Sequence, residues 1–162
     1  MRGIAAPVAA LILLTLGPGP MAAQSGGAVI EWGLHGTANA VWRGPGGVVA
    51  GPRLAVRTLG SARVSLSLGV GSWENQVSGR GEVAVEYLLS PRAADRLGVY
   101  FGGGLAGVVG GGKGGYLLLY VGLERSPGLP SGWTVEGGLG GGFRLRAAYH
   151  WRKFPKGWRA VK

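Results

Sequence analysis

Ten charged side chains, five Glu and five Arg, recur at alternate positions along the chain and are the residues best suited to interact with one another. No Lys is among them, and a planar guanidinium forms paired hydrogen bonds with a carboxylate that an ammonium group does not form. The pattern therefore predicts ion pairs inside a closed structure, with a pore lining or a proton path as the other interpretations. The ten residues are Glu31, Arg53, Arg57, Arg63, Glu82, Glu86, Glu124, Glu136, Arg144 and Arg146.

The other residue types that commonly carry chemistry are scarce. There is no Cys, which excludes thiol chemistry and disulfides, and the two His, His35 and His150, are too few to favour a zinc site. The glycine runs 102–104 and 110–112 are not followed by the Lys-Ser/Thr pair of a phosphate-binding loop, so we read them as packing and turn residues. We expect no catalytic residues, no metal, no cofactor and no enzymatic activity.

The composition does not suit an ordinary soluble domain. Of 162 residues, 35 are Gly, 46% are hydrophobic and only 15% are charged, and the formal net charge is +10. Typical soluble domains carry charge on about a quarter of their residues. Intrinsic disorder fits no better, because it requires low hydrophobicity. The length corresponds to one domain.

The first residues have the layout of a cleavable export signal. Arg2 precedes a 13-residue apolar run over residues 4–16, and the small residues Ala22 and Ala23 follow it. The run is too short to span a membrane comfortably as a helix. We therefore predict a signal peptide over residues 1–23, a barrel domain over residues 24–151, and a basic tail over residues 152–162.

Hydrophobicity alternates with a period of two through most of the remaining chain, which is the pattern of a half-buried strand. The apolar stretch 97–123 contains eleven Gly, so it reads as two strands and a turn and not as a helix. Eight strands of this length can close on themselves and leave no open edge. We predict an all-β, eight-stranded antiparallel up-and-down transmembrane β-barrel. Its predicted strands cover residues 28–42, 48–58, 62–70, 81–89, 97–109, 115–123, 133–139 and 143–151.

The distribution of charge predicts which face points inward. No charge lies on the apolar face of a predicted strand, and the polar face mixes paired charges with small residues, as a narrow lumen requires. We expect Glu31 to pair with Arg57 or Arg63, Glu86 with Arg53, and Glu136 with Arg146. Aromatic residues on the apolar face near strand ends predict a girdle at the membrane interface. That girdle comprises Trp32, Trp42, Trp133, Tyr149 and Trp151.

This pattern resembles the small eight-stranded outer-membrane barrels of the OmpA/OmpX type. The likeness covers nearly all of residues 28–151 and includes a last strand that alternates apolar and aromatic residues at Leu145, Ala147, Tyr149 and Trp151. The resemblance implies a monomer in the cell outer membrane, recognised by the barrel-assembly machinery through Tyr149 and Trp151. The His-x-Ser motif of outer-membrane lipid A deacylases is absent at both His35 and His150.

The surplus positive charge lies outside the predicted strands. The basic tail contributes Arg152, Lys153, Lys156, Arg159 and Lys162. This tail is either an interfacial segment that contacts anionic lipid or a periplasmic partner, or a solvated, frayed terminus. Arg43, Arg80 and Lys113, assigned to outer loops, are candidates for contact with lipopolysaccharide, and export argues against nucleic acid as a partner.

The leading interpretation is thus a closed-lumen outer-membrane barrel with a structural, envelope-integrity or surface-interaction role. A secreted, soluble calycin-like barrel that binds a small apolar ligand has the same alternation with its faces reversed. A lipid-modifying outer-membrane enzyme is the third interpretation.

Overall fold

The computed structural model describes residues 27–41, 44–111 and 113–161. Within these ranges the chain forms eight strands, each overlapping one of the predicted segments. The predicted signal peptide, Trp42, Arg43 and Lys162 lie outside the described residues. The strands are β1 (Val29–Val41), β2 (Gly44–Arg57), β3 (Ala62–Trp73), β4 (Gln76–Leu88), β5 (Leu97–Gly110), β6 (Gly114–Arg125), β7 (Ser131–Leu139) and β8 (Phe143–Lys153).

The strands close into a barrel in sequence order. Each strand pairs antiparallel with the next, and β8 pairs with β1, so the prediction of an all-β, eight-stranded antiparallel barrel is confirmed. The register sets the shape of the barrel. Followed once around the sheet from Val29, it returns to β1 at Asn39, a shift of ten residues. With the usual rise and strand spacing, such a stagger tilts the strands by about 40°.

Side chains alternate between the two sides of the wall with almost no interruption. In β1 all thirteen residues follow this alternation, and the even-numbered ones point outward. Trp32, Leu66, Leu119 and Leu145 are 43%, 45%, 67% and 51% exposed, so the apolar face is the outer face. The charged face lines the interior, as the sequence analysis predicted.

The two ends of the barrel differ in their connections. We call one the terminal end: it carries the start of β1, the end of β8 and the connections at residues 58–61, 89–96 and 126–130. The opposite end, the hairpin end, carries the connections after β1, β3, β5 and β7. The connection after β3 is the tight turn Glu74-Asn75, where both residues have positive φ, 52° and 61°. Two such residues are the requirement of the hairpin turn whose twist matches its flanking strands.

Because that turn is so short, the strands beside it are longer than the sequence predicts. β3 extends to Trp73, and β4 begins at Gln76 instead of residue 81. The inward parity of β4 therefore includes Arg80. The assignment of Arg80 to an outer loop in contact with lipopolysaccharide is wrong, since its side chain is buried in the lumen.

Candidate functional site: the charged lumen

All ten predicted charged residues point into the barrel and are 0–4% exposed. Arg80 and Arg152 join them, so the described part of the lumen holds seven Arg and five Glu. Arg152 was assigned to the basic tail, but β8 continues through Lys153 and the side chain of Arg152 faces inward. Ion pairs divide the twelve residues into two groups. The terminal cluster is Glu31, Glu86, Glu124, Arg53, Arg57, Arg63 and Arg152; the hairpin cluster is Glu82, Glu136, Arg80, Arg144 and Arg146.

Glu86 accepts more hydrogen bonds in the lumen than a neutral side chain could. Arg53 Nη2 donates to Glu86 Oε1, as predicted, and Arg63 Nε donates to Glu86 Oε2 at 2.5 Å. The hydroxyls of Ser65 and Tyr120 also donate to Oε1, each at 2.9 Å. The four donors come from β2, β3 and β6, so one buried carboxylate on β4 connects three other strands around a single charge.

Two further carboxylates complete the terminal cluster. Arg63 Nη1 lies 3.1 Å from Glu31 Oε2 and 2.8 Å from Glu124 Oε2, so Arg63 contacts three carboxylates in all. Arg57 Nε is 3.4 Å from Glu31, and Arg152 Nη2 is 2.5 Å from Glu124. The predicted pairing of Glu31 with Arg57 or Arg63 is confirmed for both partners.

The hairpin cluster is built around Glu82. Its carboxylate binds Arg80 at 2.6 Å, Arg144 at 3.1 Å, and Arg146. Arg144 also lies 2.9 Å from Glu136, whereas Arg146 is 4.0 Å from the same carboxylate. The expected pair of Glu136 and Arg146 is therefore present but loose, and Arg144 is the closer partner.

Two tyrosines connect the clusters. The Tyr100 hydroxyl donates to Glu136 in the hairpin cluster at 2.9 Å, while Arg63 of the terminal cluster lies 4.9 Å from its ring centroid. Tyr120 bonds Glu86, and Arg144 lies 4.9 Å from its ring. The two rings meet edge to face at 6.5 Å. Each tyrosine thus links the two charge groups by one hydrogen bond and one cation–π contact.

Glycines on the inner face make room for these rings. A Cβ on Gly122 would lie 2.3 Å from the Tyr100 ring, and one on Gly102 would lie 2.7 Å from the Tyr120 ring. The tyrosine rings lie against bare backbone on the neighbouring strand. Part of the glycine content therefore serves lumen packing.

Each cluster contains one more Arg than Glu, and aromatic side chains flank an Arg at each end of the lumen. At the terminal end, Arg57 lies 5.8 and 5.5 Å from the ring centroids of Phe154 and Trp158 and donates to the carbonyl of Pro127 at 3.0 Å. At the hairpin end, Arg80 lies 5.6 Å from Trp73 and 6.0 Å from Tyr116 and donates to the carbonyl of Gly140 at 3.0 Å. Each of these two Arg side chains pairs with one carboxylate, and ring faces and carbonyl oxygens add to the stabilisation of its charge.

The residues after β8 fold back across the terminal end. Val161 forms a parallel bridge with Ala93; its N–H donates to the Arg92 carbonyl at 2.7 Å, and its carbonyl accepts from the Ala94 N–H at 2.9 Å. Trp158 Nε1 donates to the Gly128 carbonyl at 3.2 Å. The interpretation of this segment as a frayed terminus is therefore wrong, because backbone pairing and ring packing fix it to two neighbouring connections.

Four of the five residues predicted to form an aromatic girdle lie on the outer wall at the terminal end, and the fifth, Trp42, lies outside the described residues. Trp32, Trp133, Tyr149 and Trp151 are 37–44% exposed, and the register pairs Trp32 with Trp151 and Trp133 with Tyr149. Sequence reasoning missed a second aromatic pair, Tyr87 and Phe101 on β4 and β5, whose rings stack at 5.4 Å on the same outer face. Their outward parity was the available signal.

Both histidines are buried lumen residues. His150 Nε2 lies 3.0 Å from Thr134 Oγ1 and 3.5 Å from Arg53 Nη1, and His35 is 5% exposed. No group of three or more His, Asp or Glu residues in the described ranges is arranged to hold a metal ion. His150 is therefore a hydrogen-bonded packing residue, whereas His35 fills the lumen without a hydrogen bond to its Nδ1 from the described part of the chain.

Comparison of the chain with protein-family models and with curated proteins finds no match. In the described residues, no helix is long and apolar enough to cross a membrane.

Proposed function

We propose that the protein is a small outer-membrane β-barrel with a closed, charge-paired lumen and a structural, envelope-integrity or surface-interaction role. One observation carries the proposal: the outer wall is apolar and the charges are inside. Among the described outward strand positions, only Arg125 and Lys153 are charged, and each is the last residue of its strand. Such a wall is stable in lipid, whereas in water it would expose a continuous apolar surface.

The dimensions agree with a bilayer. A strand of 12 residues, such as β3 or β6, tilted by about 40° spans about 30 Å along the barrel axis. That length matches the hydrocarbon thickness of a typical membrane. The closed sheet also gives every strand a hydrogen-bonded neighbour on both sides, and hydrocarbon offers no hydrogen bonds to an open strand edge.

The two other interpretations are less well supported. A calycin-like carrier needs an apolar lining for its ligand, whereas this interior is filled with Arg, Glu and Tyr. A lipid-modifying enzyme needs reactive groups that reach lipid, whereas His35 and His150 lie inside the barrel. We therefore propose a function without catalysis.

The partners follow from the same proposal. Outer-membrane lipid surrounds the wall, and the outward-facing Tyr149 and Trp151 of β8 are the contact offered to the barrel-assembly machinery. Lys113, exposed at the hairpin end, remains a candidate for contact with lipopolysaccharide. Export through the signal peptide over residues 1–23 and a monomeric state complete the proposal.

Membrane fractionation followed by electrophoresis of unboiled and boiled samples tests it. We expect the protein in the outer-membrane fraction, extracted only by detergent, with a folded band that changes mobility after boiling. Recovery as a soluble periplasmic or secreted protein would contradict the proposal.

A further inference from the structure

Exposed positive charge is concentrated at one end of the barrel. Among the described residues, Asp95 is the one exposed acidic residue at the terminal end, whereas the described turns of the hairpin end carry only Glu74 and Lys113 as charged residues. We call the exposed cations of the terminal end the basic collar. It comprises Arg92, Arg96, Arg125, Lys153, Lys156 and Arg159.

Two members of the collar belong to the barrel wall. Arg125 ends β6, two residues beyond the outward Leu123, and Lys153 ends β8, two residues beyond the outward Trp151. Two residues along a tilted strand correspond to about 5 Å of height. These cations thus lie just outside the apolar band, at the level where long basic side chains reach lipid headgroups.

The folded-back tail and the connection before β5 hold the other members at the same end. The bridge between Val161 and Ala93 fixes the segment that carries Lys156 and Arg159 against the one that carries Arg92 and Arg96. The collar is therefore a preorganised surface and not a set of independent charges on a disordered chain.

We propose that the basic collar binds the headgroup phosphates of anionic phospholipids in the leaflet that surrounds the terminal end. This inference rests on the proposed function, because the wall meets headgroups only in a membrane. The wall position of Arg125 and Lys153, beside the exposed Trp133 and Trp151, favours a lipid over a soluble polyanion. A soluble polyanion has no need of cations placed beside an apolar band and interfacial tryptophans.

Quenching of tryptophan fluorescence by brominated lipids provides the test, since Trp32, Trp133 and Trp151 are exposed on the wall beside the collar. The full-length mature protein is reconstituted in bilayers that contain brominated phosphatidylglycerol or brominated phosphatidylcholine. The ratio of their relative binding constants measures the preference for anionic lipid. The test variant is Arg125→Gln with Lys153→Gln. The control is Lys113→Gln, which removes a charge at the opposite end and whose proposed ligand, lipopolysaccharide, is absent from these bilayers.

We expect the unmodified protein to prefer the anionic lipid. In the double variant, the ratio of binding constants should fall about fivefold for each removed cation. The control should retain the preference, and salt near 1 M, where the screening length is about 3 Å, should abolish it in the unmodified protein. The salt titration decides the question even if the double variant does not fold.

An unmodified protein without a preference, a preference that survives both the double substitution and high salt, or an equal loss in the Lys113 control would each overturn the inference. In those cases, quenching by both lipids would still leave the proposed function intact. Absence of quenching by either lipid, together with the absence of a heat-modifiable band, would instead refute the membrane location and the collar's role with it.

Discussion

Replacing Glu86 with Gln tests whether the ion pairs of the lumen determine the stability of the barrel. The substitution keeps the volume of the side chain but removes the charge that four donors share. The new amide group also directs N–H donors toward guanidinium donors. Among the described residues Arg53 then has no carboxylate partner, while Arg63 keeps Glu31 and Glu124. The net charge of the terminal cluster rises from +1 to +2.

The magnitude follows from the loss of one partner of a buried pair. An uncompensated buried charge costs about 3–5 kcal/mol, and each hydrogen bond to a charged group contributes about 1.5–3 kcal/mol. We expect Glu86→Gln to lower the free energy of unfolding by about 3–5 kcal/mol. Urea titration of the protein refolded in detergent, followed by tryptophan fluorescence and by the heat-modifiable band, measures the difference.

Two controls separate pairing from other effects. Glu74→Gln makes the same chemical change in the exposed turn after β3, and it should alter the free energy of unfolding by less than about 0.5 kcal/mol. Adding Arg53→Met to Glu86→Gln removes the unpaired guanidinium, so the double variant should recover part of the lost stability. If Glu86→Gln behaves like Glu74→Gln, the lumen charges do not stabilise the fold by pairing.

Two further predictions concern packing and the closed terminal end. Gly122→Ala should destabilise the barrel by about 1–3 kcal/mol, because the added Cβ would lie 2.3 Å from the Tyr100 ring. Gly137→Ala should change stability little, because nothing lies within 4 Å of its added Cβ. Urea titration of the two variants measures the difference. Trp158→Ala should lower the free energy of unfolding by about 0.5–2 kcal/mol, because the cation–π contacts of the ring with Arg57 and Arg92 are lost. Lys156→Ala, at an exposed position of the same segment, should have no such effect. Equal melting temperatures for the two variants would show that the Trp158 ring does not stabilise the terminal end.

Much of the fold could be predicted because the lumen and the wall impose opposite chemistry on adjacent residues. Arg144 and Arg146 share one parity in β8, and Glu82 and Glu86 share one parity in β4, which a strand facing apolar surroundings on one side requires. Closure followed from the number of strands. The local pairing of Glu86 with Arg53 followed from their expected heights in the barrel.

The ends of the strands could not be predicted in the same way. Glu74 and Asn75 form the turn and both have positive φ, although neither is Gly. The sequence therefore contains no strong turn signal at this position. The even positions of Ser78, Arg80 and Glu82 continue one parity, and this was the overlooked signal for the full length of β4. The turn determines whether Arg80 faces solvent or the lumen.

The position of the tail could not be predicted from the sequence for a different reason. Its contacts join residues that are far apart in the chain, since Val161 bridges Ala93 and Trp158 bonds the carbonyl of Gly128. No local periodicity encodes such contacts. The sequence indicated that Phe154 and Trp158 interleave with basic residues, but it could not distinguish rings facing lipid from rings facing Arg57.

The positions of the Arg side chains that exceed the number of Glu follow from electrostatics. Seven Arg and five Glu cannot all pair one to one, and an unmatched cation costs most where neither water nor polarisable groups can approach it. The lumen concentrates its carboxylates around Arg63 and Arg144, while Arg57 and Arg80 lie near the two ends against aromatic rings and backbone carbonyls. The same rings cover the ends of the lumen. Closure of the interior and accommodation of the excess charge are therefore one structural solution, which favours a rigid barrel over a conduit.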